Sequence, residues 1–239
     1  MSTKKSSLLL ASQSPRRREL ISFLGIDFDV ASADVDESLL PNESPADYVL
    51  RLAEAKARAF PPLAPPEGGR TGSFPLRGKA GMGVIIGSDT AVVDAGEILG
   101  KPRDAREAES MLRQLRGRTH QVYTAIAVWD ETSKKMISEL SISDVPMRAY
   151  SDAEMLSYIE TGDPLDKAGA YAIQHPEFHP VEEFEGCFAS VMGLPLCKLA
   201  RSLKKIGVDV DAEMPQRCQS SLDYECTISE AVLRGENLG

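Results

Sequence analysis

Apolar residues along this chain come in short blocks whose period switches between two and nearly four, and the switches mark its elements. Leu8, Leu9 and Leu10 follow one another inside Ser7–Ala11, which predicts a short buried strand. Ser14-Pro15 supplies a helix cap and a proline at the first helical position; Leu20, Ile21 and Leu24 give that helix one apolar face, and Gly25 ends it. Phe28–Ala31 reads as a second short strand. A second Ser-Pro pair, Ser44-Pro45 with Asp47 behind it, opens a helix bearing Tyr48, Val49, Leu52 and Ala55 on its inner face. Residues 61–83 then hold five prolines and six glycines with no apolar period, and predict a flexible surface loop inserted between two elements.

Strand signals resume at Val84-Ile85-Ile86, which delivers Gly87-Ser88-Asp89-Thr90 at its carboxyl end. Extended residues 91–93, a turn at Asp94-Ala95-Gly96 and Ile98-Leu99 predict a hairpin. Asp104 caps a helix with Ala108, Met111, Leu112 and Leu115 inward, stopped by Gly117. Val122, Thr124, Ile126 and Val128 alternate as one strand, and 136–145 gives its partner. Ser151 and Glu154 form a capping box for a helix carrying Met155, Leu156 and Ile159. A strand over 181–184 and a helix over 194–205 follow, the latter with Leu196, Leu199 and Leu203 inward; the polar stretch beyond Gly207 shows no clear period. Strands alternating with helices predict an α/β protein on a mixed sheet, one domain over 1–205 with an extension over 206–239.

Composition narrows the classes. The chain has 239 residues, 42% hydrophobic and 26% charged, so it can bury a core and is not globally disordered. Its net charge of −9 argues against coating nucleic acid or docking on an anionic membrane, so an anionic ligand must be met by a local gathering of Arg and Lys. No apolar run is long enough for a signal-peptide core or a membrane span. Cys187, Cys197, Cys218 and Cys226 form no C-x-x-C pair, which speaks against a zinc site, and the expectation is a cytoplasmic protein with reduced thiols. His175 and His179 have the spacing of ligands on one helical face, but Pro176 and Pro180 break such a helix and leave them as surface loop residues.

Three groups of residues carry candidate chemistry. Ser12-Gln13-Ser14-Pro15-Arg16-Arg17-Arg18 lies between a strand and a helix start, where free amides and the helix dipole attract anions. Guanidinium groups in a first turn are unfavourable unless an anion is present; the bland alternative is a solvated basic face. Asp34, Asp36 and Glu37 follow a strand, and Asp89 ends the most apolar one, where open α/β sheets bind ligands. A carboxylate there needs a partner, and either a divalent cation or a turn cap through Thr90 would supply it. Lys56, Lys101 and Lys167 sit in tight contexts and, individually, read as surface charges; converging with the arginines, they would neutralise a triphosphate.

These segments, in order, resemble the Maf family of nucleoside triphosphate pyrophosphatases. The matching pieces include 9–20, Asp34-Val-Asp-Glu37, 48–57, Ile86-Gly-Ser-Asp-Thr90, 96–104, 115–124, 162–171 and Gly193-Leu-Pro-Leu196, spread over residues 8–205. The resemblance implies an elongated mixed α/β body like that of the inosine triphosphate pyrophosphatases, with a deep cleft between two lobes. It also implies that water attacks the α-phosphorus, giving the monophosphate and pyrophosphate. By the same resemblance Asp89 is the catalytic acid, Asp89 and Glu37 support a divalent metal (Mg²⁺ or Mn²⁺), and Arg16, Lys56 and Lys101 neutralise the phosphates, with Ser12, Ser14 and Arg17 flanking them. Asp166-Lys167-Ala-Gly-Ala-Tyr-Ala-Ile-Gln174 resembles the branch acting on dTTP and UTP, in which Arg16, Thr90 and Gln174 occupy positions linked to substrate choice, and Lys167 joins the substrate-binding set. A 7-methyl-GTP pyrophosphatase and a nucleotide-binding regulator of cell division are the alternatives; a homodimer is compatible with the family. The chain departs from the family pattern at Ser88 (usually Ala), His175 (Gly), and Cys187, Phe188 and Ser190 (Asp, Tyr and Asn).

Overall fold

The computed structural model describes residues 7–60 and 82–239, so the expected insertion at 61–83 lies outside the described residues except where its last two positions begin a strand. Six strands form one mixed sheet: β1 (Ser7–Ala11), β2 (Phe28–Ala31), β3 (Met82–Asp94), β4 (Glu97–Leu99), β5 (Thr119–Asp130) and β6 (Lys135–Pro146). The order is β2-β1-β3-β5-β6, with β4 on β3. β1 runs parallel to both β2 and β3, whereas β3, β5 and β6 form an antiparallel meander. The hydrophobic blocks explain this division. β1 is flanked by strands on both sides and is apolar from Leu8 to Ala11, while β3 and β5 alternate between two unlike faces.

One face carries Leu8, Leu10, Ile86, Val92, Ile126 and Val128, buried against α1 (Pro15–Ser22), α3 (Ala105–Leu115), α4 (Asp152–Glu160) and α6 (Leu196–Lys204). The other packs small residues, Ala91, Val93, Ala125 and Ala127, against Val49, Ala53 and Ala57 of α2 (Pro45–Arg58). Small side chains on both partners let the helix lie close to the sheet. At Gly87 the approach is at backbone contact: a Cβ there would stand 2.0 Å from the Ala53 carbonyl oxygen and 2.7 Å from the Ala57 nitrogen.

The caps expected from the sequence are present. Ser14, Ser44 and Asp104 each accept an amide N–H at a helix start, and Ser151 with Glu154 closes a full capping box. Other expectations need correction. Leu156 points to solvent, 43% exposed, because the face of α4 that meets the core is set by Met155, Tyr158 and Ile159. The strand over 181–184 reduces to a single bridge between Val181 and Met147. The helix over 194–205 begins at Leu196, after a separate short helix α5 (Phe188–Val191) and the turn at Gly193. The stretch after Gly207 is helical: α7 (Met214–Leu222) and α8 (Ser229–Arg234) pack on the body, Met214 is buried in its core, and Arg201 donates to the carbonyls of Val232 and Glu236 at 2.9 and 2.7 Å. Among the described residues no helix is long and apolar enough to cross a membrane.

Candidate active site

The site arises where the parallel part of the sheet stops. β1 ends at Ala11, with Leu10 opposite Ile86, and β4 joins β3 only at Val92. Between these pairings one edge of β3 has no strand beside it among the described residues, and a cleft of about 950 Å³ opens there. Asp89 therefore sits inside the long β3 and not at its carboxyl end, as the apolar run had suggested; it is the neighbouring β1 that terminates. Every residue singled out for catalysis or substrate binding lines this one cleft.

The alternation of β3 places Asp89 on the same face as Gly87, toward α2. Because α2 lies against Gly87, Lys56 reaches Asp89, and its Nζ is 2.7 Å from Asp89 Oδ1 and 2.6 Å from Glu37 Oε1. Lys56 and Asp89 are only 8% and 7% exposed. The loop carrying Glu37 is pinned to α2 twice: Tyr48 donates to the Glu37 carbonyl at 3.0 Å, and Arg51 donates to the Ser38 carbonyl at 3.0 Å and to Glu43. Burial raises the Asp89 pKa above the usual carboxylate value, against the pull of Lys56 and Arg17. Burial pushes Glu37 the same way, but its bond to Lys56 and that charge, aided by Lys101 and Arg17, leave it below its usual value. Asp36 belongs elsewhere. It is hydrogen-bonded by Ser38 in the exposed loop, and it does not line the cleft.

At the start of α1, Ser12 accepts the Ser14 N–H at 3.2 Å and Ser14 accepts the Arg17 N–H at 3.4 Å. The Arg17 guanidinium folds back into the protein: Nε donates to the Gly193 carbonyl at 2.9 Å and Nη2 to Thr90 Oγ1 at 3.0 Å. Burial lowers its pKa, while Asp89 pulls the other way. Gly193 is required by this contact, since it has φ +111° and a Cβ would stand 3.1 Å from Arg17 Nε. Ser88, on the same face as Thr90, has its hydroxyl 2.8 Å from that same Gly193 carbonyl. Arg16 and Lys101 line the cleft without a hydrogen bond or ion pair to another described residue. Lys167 is different. Its ammonium donates to the Asp163 carbonyl, to Asp163 Oδ1 and to Asp166 Oδ1 at 2.7, 2.9 and 2.6 Å, so its three N–H bonds are already taken.

Gln174 and His175 form another part of the wall. His175 lies in a loop, as its prolines suggested, but half-buried on the cleft wall; its ring packs edge-on against Tyr158 at 4.7 Å. Tyr48, Gly193 and the Asp163–Asp166 pair also shape the site. Sequence reasoning passed over them because Tyr48 acts on a distant carbonyl through its hydroxyl, Gly193 through its backbone, and the two aspartates by cancelling a charge. The departures at Cys187, Phe188 and Ser190 lie outside the cleft lining: Cys187 and Phe188 face a small apolar cavity under α7, shared with Cys197, Cys218 and Cys226, and Ser190 is fully buried. All four cysteines are free thiols. A second cavity, of about 550 Å³, is lined by Glu139, Arg201 and Lys205, whose charges already pair with one another. Among the described residues no group of three or more His, Cys, Asp or Glu side chains is arranged to hold a metal ion.

A mixed sheet with a cation-rimmed cleft beside the carboxyl end of its parallel strands defines an α/β protein equipped to bind a polyanion. The chain belongs to the Maf family, whose model, described as Maf-like protein, matches residues 7–206. It is 44% identical over 207 residues to the dTTP/UTP pyrophosphatase of Geotalea uraniireducens (strain Rf4), covering 87% of this chain and 98% of that protein. It is 45% identical over 204 residues to the dTTP/UTP pyrophosphatase of Citrifermentans bemidjiense, covering 85% and 97%. To that of Hahella chejuensis (strain KCTC 2396) it is 44% identical over 203 residues, covering 85% and 94%. Among solved structures, the Staphylococcus aureus Ham1 protein is similar at a TM-score of 0.37 and 14% identity over 60% of this chain and 73% of that one, a likeness too slight to add to what the sheet itself shows.

Proposed function

We propose that this protein is a nucleoside triphosphate pyrophosphatase that hydrolyses dTTP and UTP to the monophosphate and pyrophosphate. The relatives named for that activity match nearly their whole length, and the cleft contains the groups such a reaction needs. The observation that carries the reading is the buried Lys56 ammonium held between Asp89 and Glu37, with Arg16 and Lys101 on the same walls and unpaired among the described residues.

Asp89 is the general base in this reading. Its pKa is raised by burial, which makes its carboxylate a better proton acceptor than a solvated one, and it takes the proton of the water that attacks the α-phosphorus. Lys56 holds that carboxylate in place and, with Arg16 and Lys101, stabilises the charge that gathers on the departing pyrophosphate. Arg17 fixes Thr90 and the Gly193 turn, keeping the wall of the cleft shaped while its charge faces the same space. Gln174, which can donate and accept at once, suits a pyrimidine edge with neighbouring carbonyl and N–H groups.

The donor set also fits a divalent cation of the magnesium kind. Two carboxylates converge within the cleft, and no third protein ligand accompanies them among the described residues. Mg²⁺ and Mn²⁺ favour one or two carboxylates completed by water and substrate phosphate, whereas a structural zinc site would need four ligands. Asp89 and Glu37 would hold the ion, which supplies charge neutralisation at the phosphates. A cytoplasmic setting, where nucleoside triphosphates are made and used, suits the activity.

The test is pyrophosphate release from a panel of nucleoside triphosphates with Mg²⁺ or Mn²⁺. dTTP and UTP should be the best substrates, and Asp89→Asn should lower turnover at least about 10³-fold with the fold intact by circular dichroism. Undiminished turnover in that variant would remove Asp89 from the mechanism.

A further inference from the structure

His175 offers a hydrogen-bond donor to the cleft whose identity the backbone dictates. Its Nδ1 accepts the Phe178 N–H at 3.0 Å and faces the Glu177 N–H at 3.4 Å. An amide N–H can only donate, so Nδ1 is the lone-pair nitrogen and the neutral ring carries its proton on Nε2. The ring is held on a second side by Tyr158, at 4.7 Å and 68° between planes. Tyr158 is itself fixed, donating to Asp163 Oδ2 at 2.7 Å and accepting the Ala172 N–H at 3.1 Å. The imidazole is therefore oriented by three neighbours. Nε2–H has no acceptor among the described residues, and His175 lines the cleft next to Gln174. Arg16, Gln174 and His175 line the same cleft, and Tyr158 lies buried behind the His175 ring.

We propose that His175 is a specificity-determining residue, its Nε2–H donating to the carbonyl oxygen at C4 of thymine or uracil. The inference rests on the pyrimidine nucleotide reading given above and adds to it a rule against cytosine. Cytosine carries an amino group at C4, which would put donor against donor. A pocket built around a fixed donor rejects the analogue that lacks the acceptor, because the buried N–H is then left unpaired.

Two substitutions separate reading the base from holding the loop. His175→Asn keeps a short side-chain oxygen where Nδ1 accepts the amides and deletes the distal donor. His175→Gln carries an amide N–H out to the position of Nε2 and gives up the short acceptor. Steady-state kcat/KM for UTP, dTTP and CTP with Mg²⁺ is measured for the wild-type protein and both variants, with Tm recorded for each. The expected result is a UTP-to-CTP ratio about tenfold lower in His175→Asn and retained within about threefold in His175→Gln, as befits one neutral hydrogen bond. A purely structural role predicts the reverse: His175→Asn keeps the wild-type ratio, while His175→Gln loses activity toward all three nucleotides alike. That outcome, or loss of the ratio in both variants, overturns the inference and leaves the pyrophosphatase reading standing. A wild-type protein that releases pyrophosphate from none of the three overturns both.

Discussion

Lys56→Met isolates the interaction on which the proposed chemistry depends. Methionine keeps a stem of similar length in the buried position on α2 but removes the ammonium between Asp89 and Glu37. Asp89 then remains a 7% exposed carboxylate with its nearest cation gone. Leaving one partner of a buried ion pair alone costs about 3–5 kcal/mol at neutral pH. The pH dependence identifies the cause. The Asp89 pKa already stands above 3.8 in the folded protein because of burial, with Lys56 and Arg17 restraining it, and removing Lys56 raises it further. A carboxyl whose pKa is higher folded than unfolded binds its proton more tightly in the folded state. The penalty is absent below the unfolded value and grows as pH rises toward the folded one. Within that window the slope is at most about 1.4 kcal/mol per pH unit, so the variant should lose more stability at pH 7 than at pH 5. Glu37 shifts in the same direction once its lysine is gone, but it is largely exposed and water screens it.

Urea unfolding of the wild-type protein, Lys56→Met and Lys56→Met/Asp89→Asn at the two pH values reads this directly. The double variant should recover most of the lost stability and show no excess loss at pH 7, because the amide carries no charge to bury. Both variants should be catalytically dead. Equal destabilisation by Lys56→Met at both pH values, or no recovery on adding Asp89→Asn, would refute the claim that Lys56 holds a buried charged Asp89.

Gly87→Ala should destabilise the protein by about 3–5 kcal/mol or prevent soluble expression, since a Cβ would lie 2.0 Å from a backbone oxygen that cannot move without α2; unfolding by urea measures it. Chelation with EDTA should abolish pyrophosphate release and leave the Tm within a few degrees, because Lys56 ties Asp89 and Glu37 together without an ion; added Mg²⁺ or Mn²⁺ should restore turnover. Gln174→Ala should lower kcat/KM for dTTP and UTP about tenfold more than for purine nucleotides, and equal losses across bases would discard Gln174 as a reader.

Local chemistry made the frame legible. Ser-Pro starts, the Ser151–Glu154 box and the period-two runs of β5 and β6 depend on neighbouring residues alone, and each element they mark is present. What escaped was set by distant parts of the chain. α7 shows its apolar face only through Met214, Cys218 and Leu222, four apart in a polar stretch, and the body it packs on lies far back in sequence. The end of Val84-Ile85-Ile86 looked like the end of a strand because Gly87-Ser88-Asp89 is polar; β5 pairs along the whole segment and keeps it extended. The site residues were visible as charges, yet no single segment tells which charge is already neutralised. Lys167 reads in the sequence as one more cation for phosphate, and only the fold shows Asp163 and Asp166 on its three donors.

That distinction decides where a triphosphate can bind. Lys56 is matched by Asp89 and Glu37, and Lys167 by Asp163 and Asp166. The hydrogen bonds of Arg17 go to uncharged acceptors, Gly193, Thr90 and Ser12, so its charge is positioned without being cancelled by an ion pair. Arg16 and Lys101 are bonded to nothing described. Among the described residues, a cleft in a protein of net charge −9 thus retains three cations that no carboxylate has claimed, beside a stretch of β3 edge that no strand covers. Local positive potential in an acidic molecule admits a polyphosphate at that place and repels it elsewhere. The same gap in the sheet puts Asp89 on the cleft, so in the proposed reaction the base would meet the phosphate tail because β1 is short.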